Sequence, residues 1–263
     1  MRGYLYNARN SIMASMTYRI GFLFSLMSNL VIVTITYFLW KAIYSGRTTI
    51  HGMIFNDAFA TVVISMTLYQ LFLTYTQHGM NSDMRDGNIS QILIKPVDYQ
   101  IYLLSDAVGR LFLNLLTVTV PTLLLIVFVF RVTIPIGMNI LFFFFSILIS
   151  YLINYLIEFI VGTISFYTLS VWGISAAFGV LVSIMSGAVV PLGFFPAWLR
   201  QAAEALPFRA IFAIPMNLLL TENPRLDFFL QGFGIQLFWL LFILLFSRFF
   251  FKRALKIVTV QGG

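Results

Sequence analysis

Apolar residues fill most of the chain in long runs that charged residues interrupt at only a few places. The stretch ILFFFFSILISYLINYLI is apolar on consecutive positions, so it lacks the alternation of a membrane β-barrel strand. A membrane-spanning helix needs about 20 such residues, and lipid requires every backbone polar group to be paired within the segment. The pattern therefore predicts an all-α integral membrane protein.

Six spans are predicted from the intervals that lack charge. They cover residues 20–44, 58–77, 111–130 with a lead-in from Tyr99, 139–158, 172–190 and 228–251. The division between the fourth and fifth spans is the weakest, because no charge occurs between Glu158 and Arg200 and only 165–173 offers a turn. The prediction is one transmembrane domain over residues 1–263, without an internal repeat or a soluble domain.

Composition and charge agree with this prediction and suggest an orientation. Of the 263 residues, 60% are hydrophobic and 10% are charged, against about 25% charged in soluble domains. Ten of the 16 Lys and Arg residues lie in the N-terminus, the 79–110 loop and the C-terminus, which assigns these three regions to the cytoplasm. The net charge of +7 suits anionic headgroups of the lipid bilayer at the inner face, so no nucleic-acid partner is needed to explain it.

The segment 1–19 mixes apolar and basic positions. Apolar Tyr4, Leu5 and Met16 are interspersed with Arg2 and Arg9 at spacings that suit a helix with its basic residues toward headgroups. Two interpretations stay open. The segment either forms an interfacial helix along the inner membrane surface or is the ordinary positive flank of the first span.

One loop, 79–100, is polar. Its Gly87 favours the left-handed conformation that closes a helix, so the second span is expected to continue into the cytoplasm and to end there. Asn88 can then cap a short helix that Pro96 stops. Asp98 is expected to cap the helix that re-enters the membrane.

The short helix after Gly87 has one apolar face, formed by Ile89, Ile92 and Leu93. One or two turns of helix are unstable alone in water, so this face must pack on the membrane surface, on its own bundle or on another protein. Charges of both signs surround the face, namely Asp83, Arg85, Asp86 and Lys95. Mixed charge favours a protein groove, because helices seated on lipid are usually basic.

Prolines are concentrated in residues 191–218 and rule out one continuous helix there. They are Pro191, Pro196, Pro207 and Pro215. Two short helices joined by a turn are expected, and the second is apolar enough for the pair to dip into the outer leaflet as a re-entrant hairpin. The alternative is a surface loop anchored at the interface by Trp198 and Phe208.

The residues needed for hydrolysis or for metal binding are missing from the sequence. None of the four lysines follows a glycine, so no phosphate-cradling loop for ATP is present. His51 and His78 are far apart and Cys is absent. Neither a catalytic residue nor a metal site is predicted, and an enzyme is not expected.

One carboxylate, Glu158, lies inside an apolar run, where a helix would place it on one face with Asn154, Gly162 and Ser165. Intramembrane carboxylates are costly and usually face a cavity or a partner charge. Two interpretations stay open. Asn154 and Glu158 either belong to a pathway or subunit contact, or Glu158 is an inner-leaflet carboxylate held by a neighbouring Arg.

Three segments resemble membrane subunits of type-2 ATP-binding-cassette (ABC) exporters, in the branch of small permeases that work with a separate ATPase. They read YRIGFLFSLMSNLVIVTITYFLWKAIY, MRDGNISQILIKPVDYQIYLLSDAVGR and SGAVVPLGFFPAWLRQAAEALPF. The most specific pieces are Gly87 followed by Leu93 and Pro96, and a Phe-Pro-x-Trp-Leu pattern at 195–199. The resemblance covers nearly the whole chain.

The resemblance implies a bacterial inner-membrane permease whose coupling helix, between spans two and three, docks on a cytoplasmic ATPase dimer, and whose hairpin before the last span is re-entrant from outside. The docking element would comprise Arg85, Asp86, Gly87, Ile89, Ile92, Leu93, Lys95 and Pro96. The hairpin would be marked by Pro191, Gly193, Pro196, Trp198 and Pro207. A second permease subunit, identical or related, would complete the pathway. ATP and Mg²⁺ would bind to the ATPase, and no cofactor to this chain.

The leading hypothesis is therefore a permease for amphipathic or hydrophobic substrates, since the spans contain few polar groups. The main alternative is a secondary transporter or channel driven by an ion gradient, which would be expected to carry several intramembrane ionisable residues and an internal repeat. The sequence offers one such carboxylate and no repeat. A membrane scaffold without transport activity is a further alternative that the sequence leaves open.

Overall fold

A computed structural model describes residues 2–16, 19–135, 137–168, 171–221 and 226–257. The α-helices within them are α1 (Arg2–Met16), α2 (Arg19–Ile43), α3 (Phe55–Phe72), α4 (Thr76–Arg85), α5 (Asn88–Ile94), α6 (Tyr99–Asn114), α7 (Val120–Phe128), α8 (Met138–Thr163), α9 (Trp172–Met185), α10 (Ala197–Ala205), α11 (Ala213–Leu220) and α12 (Leu226–Ala254). Arg225 and two residues of the predicted 165–173 turn, 169 and 170, lie outside the described residues.

Shorter elements connect these helices. A π-helical turn at Leu115–Thr119 joins α6 to α7 without a break. Single 3₁₀ turns occupy Ile164–Phe166, Leu192–Phe194, Pro207–Ala210 and Leu255–Ile257. Strands β1 (Thr49–Ile50) and β2 (Met53–Ile54) form a small antiparallel hairpin between α2 and α3. The predicted all-α class is otherwise confirmed for the described residues.

Five helical stretches among the described residues are long and apolar enough to cross a membrane. They are Ile20–Ile43, Phe55–Arg85, Tyr99–Phe128, Met138–Phe166 and Leu226–Ile257. The predicted fifth span, 172–190, contains instead the 14-residue helix α9. Its rise of about 21 Å is shorter than the hydrocarbon core of about 30 Å, so the predicted count of six full spans is not confirmed.

The long helices differ in how deeply they are buried. In its most apolar window the stretch formed by α3 and α4 is 72% buried, against 17% for both α2 and α12. The largest fully buried side chains include Phe59 and Phe72 of α3, Tyr155 and Phe159 of α8, and Phe212 before α11. Helix α3 is therefore the central element, and α2 and α12 lie at the periphery with apolar faces toward the surroundings.

Helices α8 and α12 run in the same direction. Phe142 stacks on Phe229 near their first turns, with ring centroids 3.9 Å apart, and Phe159 contacts Phe251 near their last turns, with centroids 5.1 Å apart. Because these two helices are parallel, the chain that connects them must return along the bundle. Helices α9 to α11 provide that return.

The N-terminal helix, α5 and the end of α12 lie together at one end of the bundle, which we call the loop end. The Asp98 backbone N–H donates to the Tyr4 hydroxyl at 2.9 Å, and Arg248 of α12 forms a salt bridge with the Asp98 carboxylate. The opposite end, which we call the hairpin end, contains β1, β2 and the chain near Phe194, whose ring lies 5.1 Å from that of Trp40. Both ends of the described chain are thus on the same side as the polar loop.

Helix α1 packs along the first half of α6. Asn7 donates to Ser105 Oγ at 2.9 Å, and Ser11 donates to the Asp106 carbonyl at 3.1 Å. A Cβ added at Gly109 would lie 2.5 Å from the Ala8 carbonyl oxygen, so the two backbones approach closely at this glycine. Leu5 and Tyr6 on the other face are 71% and 63% exposed. The predicted helix at the N-terminus is present, with one face on the bundle and one apolar face outward.

Candidate functional site

The second span is broken in its interior. Helix α3 ends at Phe72, α4 begins at Thr76, and Tyr75 between them has a left-handed backbone with φ +53°. The break contains no proline or glycine. A break at membrane depth leaves backbone N–H and C=O groups without helical partners, and these groups need side-chain partners from other helices.

Glu158 of α8 satisfies the donors at this break. Its Oε1 accepts from the Thr74 N–H at 3.3 Å, and its Oε2 accepts from the Thr74 hydroxyl at 2.6 Å and from the Thr76 N–H at 3.3 Å. Asn154 donates to Oε1 at 3.2 Å. The carboxylate thus caps α4 from another helix, and a negative charge is favourable at a helix N-terminus.

The carbonyl groups at the break are satisfied by α6 and α8. Asn154 Nδ2 donates to the Phe72 carbonyl at 2.9 Å, and Arg110 donates to the Thr74 carbonyl at 2.8 Å. Arg110 is also paired with Asp106 at 2.5 Å. Side chains from two neighbouring helices thus hold the break in one conformation, which marks it as a built feature of the fold.

The structure places Glu158 at the break in the second span, and its assignment to a pathway or subunit contact stays a prediction. Asn154, Glu158 and Gly162 do share the face that meets the second span, and a Cβ on Gly162 would lie 2.6 Å from Met80 Sδ. The basic residue nearby, Arg110, binds the Thr74 carbonyl and Asp106 rather than Glu158. The sequence did not predict the roles of Thr74 and Arg110. The available signal was the Asn154–Glu158 pair, because two polar side chains on one face of an apolar helix need hydrogen-bond partners on a neighbouring helix.

A cavity of about 480 Å³ lies beside this break. It is bounded by α2, α3, the break, α8 and α9. Its polar lining includes Asn29, Gln70, Gln77, Asn154 and Glu158, and its apolar wall comes mainly from α9. The volume is in the range of sites for drug-sized molecules.

The polar loop has the predicted order of elements. Gly87 is left-handed with φ +73° and separates α4 from α5, and Lys95 and Pro96 follow the last turn of α5. Asp98 accepts from the Ile101 N–H at 3.0 Å and caps α6 as predicted. The predicted Asn88 cap is wrong, because Asn88 is the first residue of α5 and its side chain makes no capping bond.

The apolar face of α5 is divided between the bundle and the surroundings. Ile89 is 3% exposed and Ile92 is half-buried, so both pack on the chain's own core. Leu93 and Ile94 are 39% and 85% exposed. The expectation that Ile89 is presented to a partner is therefore corrected, and the outward apolar surface is Leu93 with Ile94. Exposed residues around it are Arg85, Asp86, Gly87, Lys95 and Pro96.

Hydrogen bonds tie this loop to the rest of the loop end. Tyr99 donates to Asp83 Oδ2 at 2.8 Å, which links α6 to α4. Asp98 is bonded by Arg248 of α12. Partial burial raises the pKa of Asp98, but the hydrogen bonds from Arg248 and the Ile101 N–H outweigh it, and the net pKa lies below the ordinary value. Any displacement of this loop must therefore either carry α6 and α12 along or break the bonds of Asp83 and Asp98 to them.

The proline-rich segment forms the two short helices that the sequence predicts. Pro196 precedes α10, Pro207 begins a 3₁₀ turn, and α11 follows. Pro191 is buried and Gly193 is half-buried, whereas Trp198 is 71% exposed. Helix α11 packs against α8, and five of its residues are buried: Ile214, Pro215, Met216, Leu218 and Leu219.

A polar cluster fixes the innermost turn of this segment. The Ala210 carbonyl accepts from Ser150 Oγ at 3.0 Å and from Gln236 Nε2 at 2.9 Å. Ser146 donates to Gln236 Oε1 at 2.9 Å, and Gln236 is fully buried. Near the other end of α11, Asn139 donates to the Thr221 carbonyl at 2.7 Å. Residues 139 and 150 of α8 are separated by about 16 Å of helix rise.

Comparison with known protein families identifies the chain. The family model for ABC-2 family transporter proteins matches residues 30–262. The chain belongs to the ABC-2 transporter family. A search of curated proteins found no match. Membership makes this an integral membrane permease subunit of an ABC transporter, and ABC-2 permeases normally work with an ATPase partner. The resemblance inferred from the sequence is thereby confirmed.

Proposed function

We propose that this ABC-2 permease subunit is part of an exporter that moves amphipathic or hydrophobic molecules out of a bacterial cytoplasm. It works in the cytoplasmic membrane with a second permease subunit, identical or related, and with a separate ATPase dimer that binds ATP and Mg²⁺. The loop end and both termini face the cytoplasm, in agreement with the distribution of Lys and Arg.

The observation that carries the proposal is the outward surface of the α4–α5 loop. Leu93 and Ile94 are exposed at a tip that is rimmed by Arg85, Asp86 and Lys95. An apolar pair within a ring of both charges suits a groove on a protein partner, since the centre of such contacts is apolar and the rim polar. The ATPase is that partner.

The same loop is connected to the broken second span. Helix α4 runs from the Gly87 turn to the break at 73–75, and its Met80 side chain and Gln77 backbone pack closely on α8 at Gly162. A closing ATPase dimer would displace α5 and, with it, α4. This displacement would reach α3 only through the break at 73–75, which is held by side-chain hydrogen bonds and is not continuous helix. We expect motion to be concentrated at the break, because side chains replace the intrahelical partners of the Thr74 N–H and of the Phe72 and Thr74 carbonyls.

The segment from Pro191 to Leu218 acts as a re-entrant hairpin that closes the pathway from the outer side. Its support is the bonding of Ala210 to Ser150, about 16 Å along α8 from the level of Asn139. Short α9 and this hairpin together fill the place of a full fifth span. Non-helical backbone at this depth is tolerated because Ser150 and Gln236 satisfy it.

The docking role is tested by copurification of the ATPase with the permease from the native host. The double variant Leu93→Asp, Ile94→Asp should lose the ATPase while the permease stays in the membrane fraction. The matched control is Asn88→Asp, Gln91→Asp, which adds the same charge to exposed polar positions of the same helix. Retention of the ATPase by the Leu93, Ile94 variant would contradict the proposed docking surface.

A further inference from the structure

The cavity beside the broken second span has a marked imbalance of charge. Glu158 is the one carboxylate among the described residues that line it; His78 is the one basic side chain there, and neither Lys nor Arg is present. The four groups that donate to Glu158 are two backbone N–H groups, a hydroxyl and an amide, all neutral. The nearby guanidinium of Arg110 is paired with Asp106. Hydrogen bonds therefore satisfy the carboxylate without supplying a counter-charge on the cavity side.

A second acceptor without a donor belongs to a residue that lines the same cavity. Gln77 follows the break on α4, and its Oε1 atom is buried and unpaired. Ser175 of α9, which also lines the cavity, has a buried hydroxyl without a partner. Buried polar atoms that lack partners are costly, and these two lie behind the cavity surface on side chains that border it.

The remaining walls suit an apolar body. Aromatic rings of Tyr69, Tyr75, Trp172 and Phe178 line the cavity, together with small and aliphatic residues of α9 such as Gly179 and Val182. Aromatic faces attract organic cations, most strongly where water is excluded. The volume of about 480 Å³ is large enough for a multi-ring molecule.

We propose that this cavity binds organic cations with an apolar, ring-containing body, and that Glu158 provides the charge that selects them over neutral or anionic molecules. This inference rests on the proposed function, since it names the substrate class of the exporter. Glu158 then has two roles: it holds the helix break, and it presents negative charge to the cavity. A bound cation would contact the same carboxylate that fixes the hinge of the second span.

The test compares two ions of the same shape and opposite charge, tetraphenylphosphonium and tetraphenylborate. Binding is measured by equilibrium dialysis of the permease–ATPase complex in nanodiscs at equal free ligand concentration, with binding to empty nanodiscs subtracted. We expect saturable binding of the phosphonium and at least about tenfold weaker binding of the borate, as an uncompensated carboxylate in a site of reduced polarity requires. Equal binding of the two ions, or no saturable binding of the phosphonium, would overturn the inference.

Two variants localise the binding. Glu158→Gln removes the charge and should reduce phosphonium affinity at least about tenfold. Because this variant also disturbs the cap of α4, Gly179→Leu provides an independent check: it fills the cavity from α9, where the nearest atom to a new Cβ is the Tyr69 hydroxyl at 3.4 Å. The control Gly234→Leu lies on α12 in open space. Undiminished phosphonium binding by Gly179→Leu would show that the ion binds elsewhere.

Failure of the inference can be distinguished from failure of the proposed function. The same nanodisc preparations report whether the ATPase remains bound and hydrolyses ATP. An intact, active complex that does not prefer the phosphonium would overturn the cation proposal and leave the exporter assignment in place. Loss of the ATPase from the wild-type preparation would instead count against the proposed function.

Discussion

The Thr74 hydroxyl donates to Glu158 Oε2 at 2.6 Å and so links the break in the second span to a helix that lies 84 residues further along the chain. The bond is part-buried, and the Thr74 hydroxyl also lies 2.6 Å from the Thr76 hydroxyl. No described side chain other than those of Thr74 and Asn154 is bonded to this carboxylate. Substitution of Thr74 therefore tests how much the bond to Glu158 stabilises the break.

Thr74→Val should lower the free energy of unfolding by about 1–3 kcal/mol, because it removes a donor from a buried carboxylate while it keeps the side-chain volume. The change is measured as a shift in thermal unfolding in detergent. Thr34→Val is the matched control, since the Thr34 hydroxyl is exposed and bonds within its own helix to the Leu30 carbonyl. Equal effects of the two substitutions would show that the bond to Glu158 contributes nothing special.

Gln236→Leu should loosen the hairpin segment. It leaves Ser146 Oγ without its acceptor and removes one of the two donors to the Ala210 carbonyl, at a cost of about 1–3 kcal/mol for each buried group that loses its partner. Protease sensitivity of residues 191–221 should rise, as read by limited digestion and mass spectrometry. Gln231→Leu on the exposed face of α12 is the control and should leave the digestion pattern unchanged.

Gly162→Ala should push α4 away from α8. The added Cβ would lie 2.6 Å from Met80 Sδ and 3.0 Å from the Gln77 Cα, and the second atom belongs to the backbone and cannot move aside alone. We expect a loss of about 1–3 kcal/mol, typical of overpacking, together with reduced ATPase coupling. Gly234→Ala, which meets nothing within 4 Å, should instead be neutral or slightly stabilising, since alanine favours helix. The opposite order of stabilities would rule out close packing at Gly162.

The Asp98–Arg248 pair should make stability depend on pH in the acid range. Because the folded pKa of Asp98 lies below its ordinary value of 3.8, the stabilisation is present above about pH 4 and is lost as the pH falls through the folded pKa. Both side chains are about one third exposed, so the effect is modest. The measurement is the difference in melting temperature between the wild type and Asp98→Asn from pH 6 to pH 3. A difference that stays constant over this range would contradict the assignment.

The sequence predicted the parts of this fold that follow from local composition. The spans around α2, α8 and α12 are continuous apolar runs, and the order of Gly87, a short helix, Pro96 and Asp98 was readable because each residue type acts on its own neighbours. The break at 73–75 was not readable, since no Gly or Pro marks it. It exists because partners on α6 and α8 satisfy its backbone, and partners that are distant in sequence leave no local signal.

Burial of the short helix α5 was another limit. Helical spacing places Ile89, Ile92 and Leu93 on one face, but it does not say which of them meets the chain's own core. The structure buries Ile89 and exposes Ile94, because α5 is anchored through α4 to α8. The role of Gln236 was not predicted for a similar reason. A single glutamine in an apolar helix does not indicate its partners, and Ala210 and Ser150 are distant from it in sequence.

The contact between α1 and α6 has a consequence for biosynthesis. Asn7 bonds to the Tyr102 carbonyl, 95 residues later in the chain, and at a synthesis rate of about 5–20 residues per second this separation corresponds to roughly 5–20 s. During that interval the ribosome has not yet delivered the partner of the first helix. We expect the exposed apolar residues Leu5 and Tyr6 to hold the nascent helix at the membrane surface until α6 has been inserted.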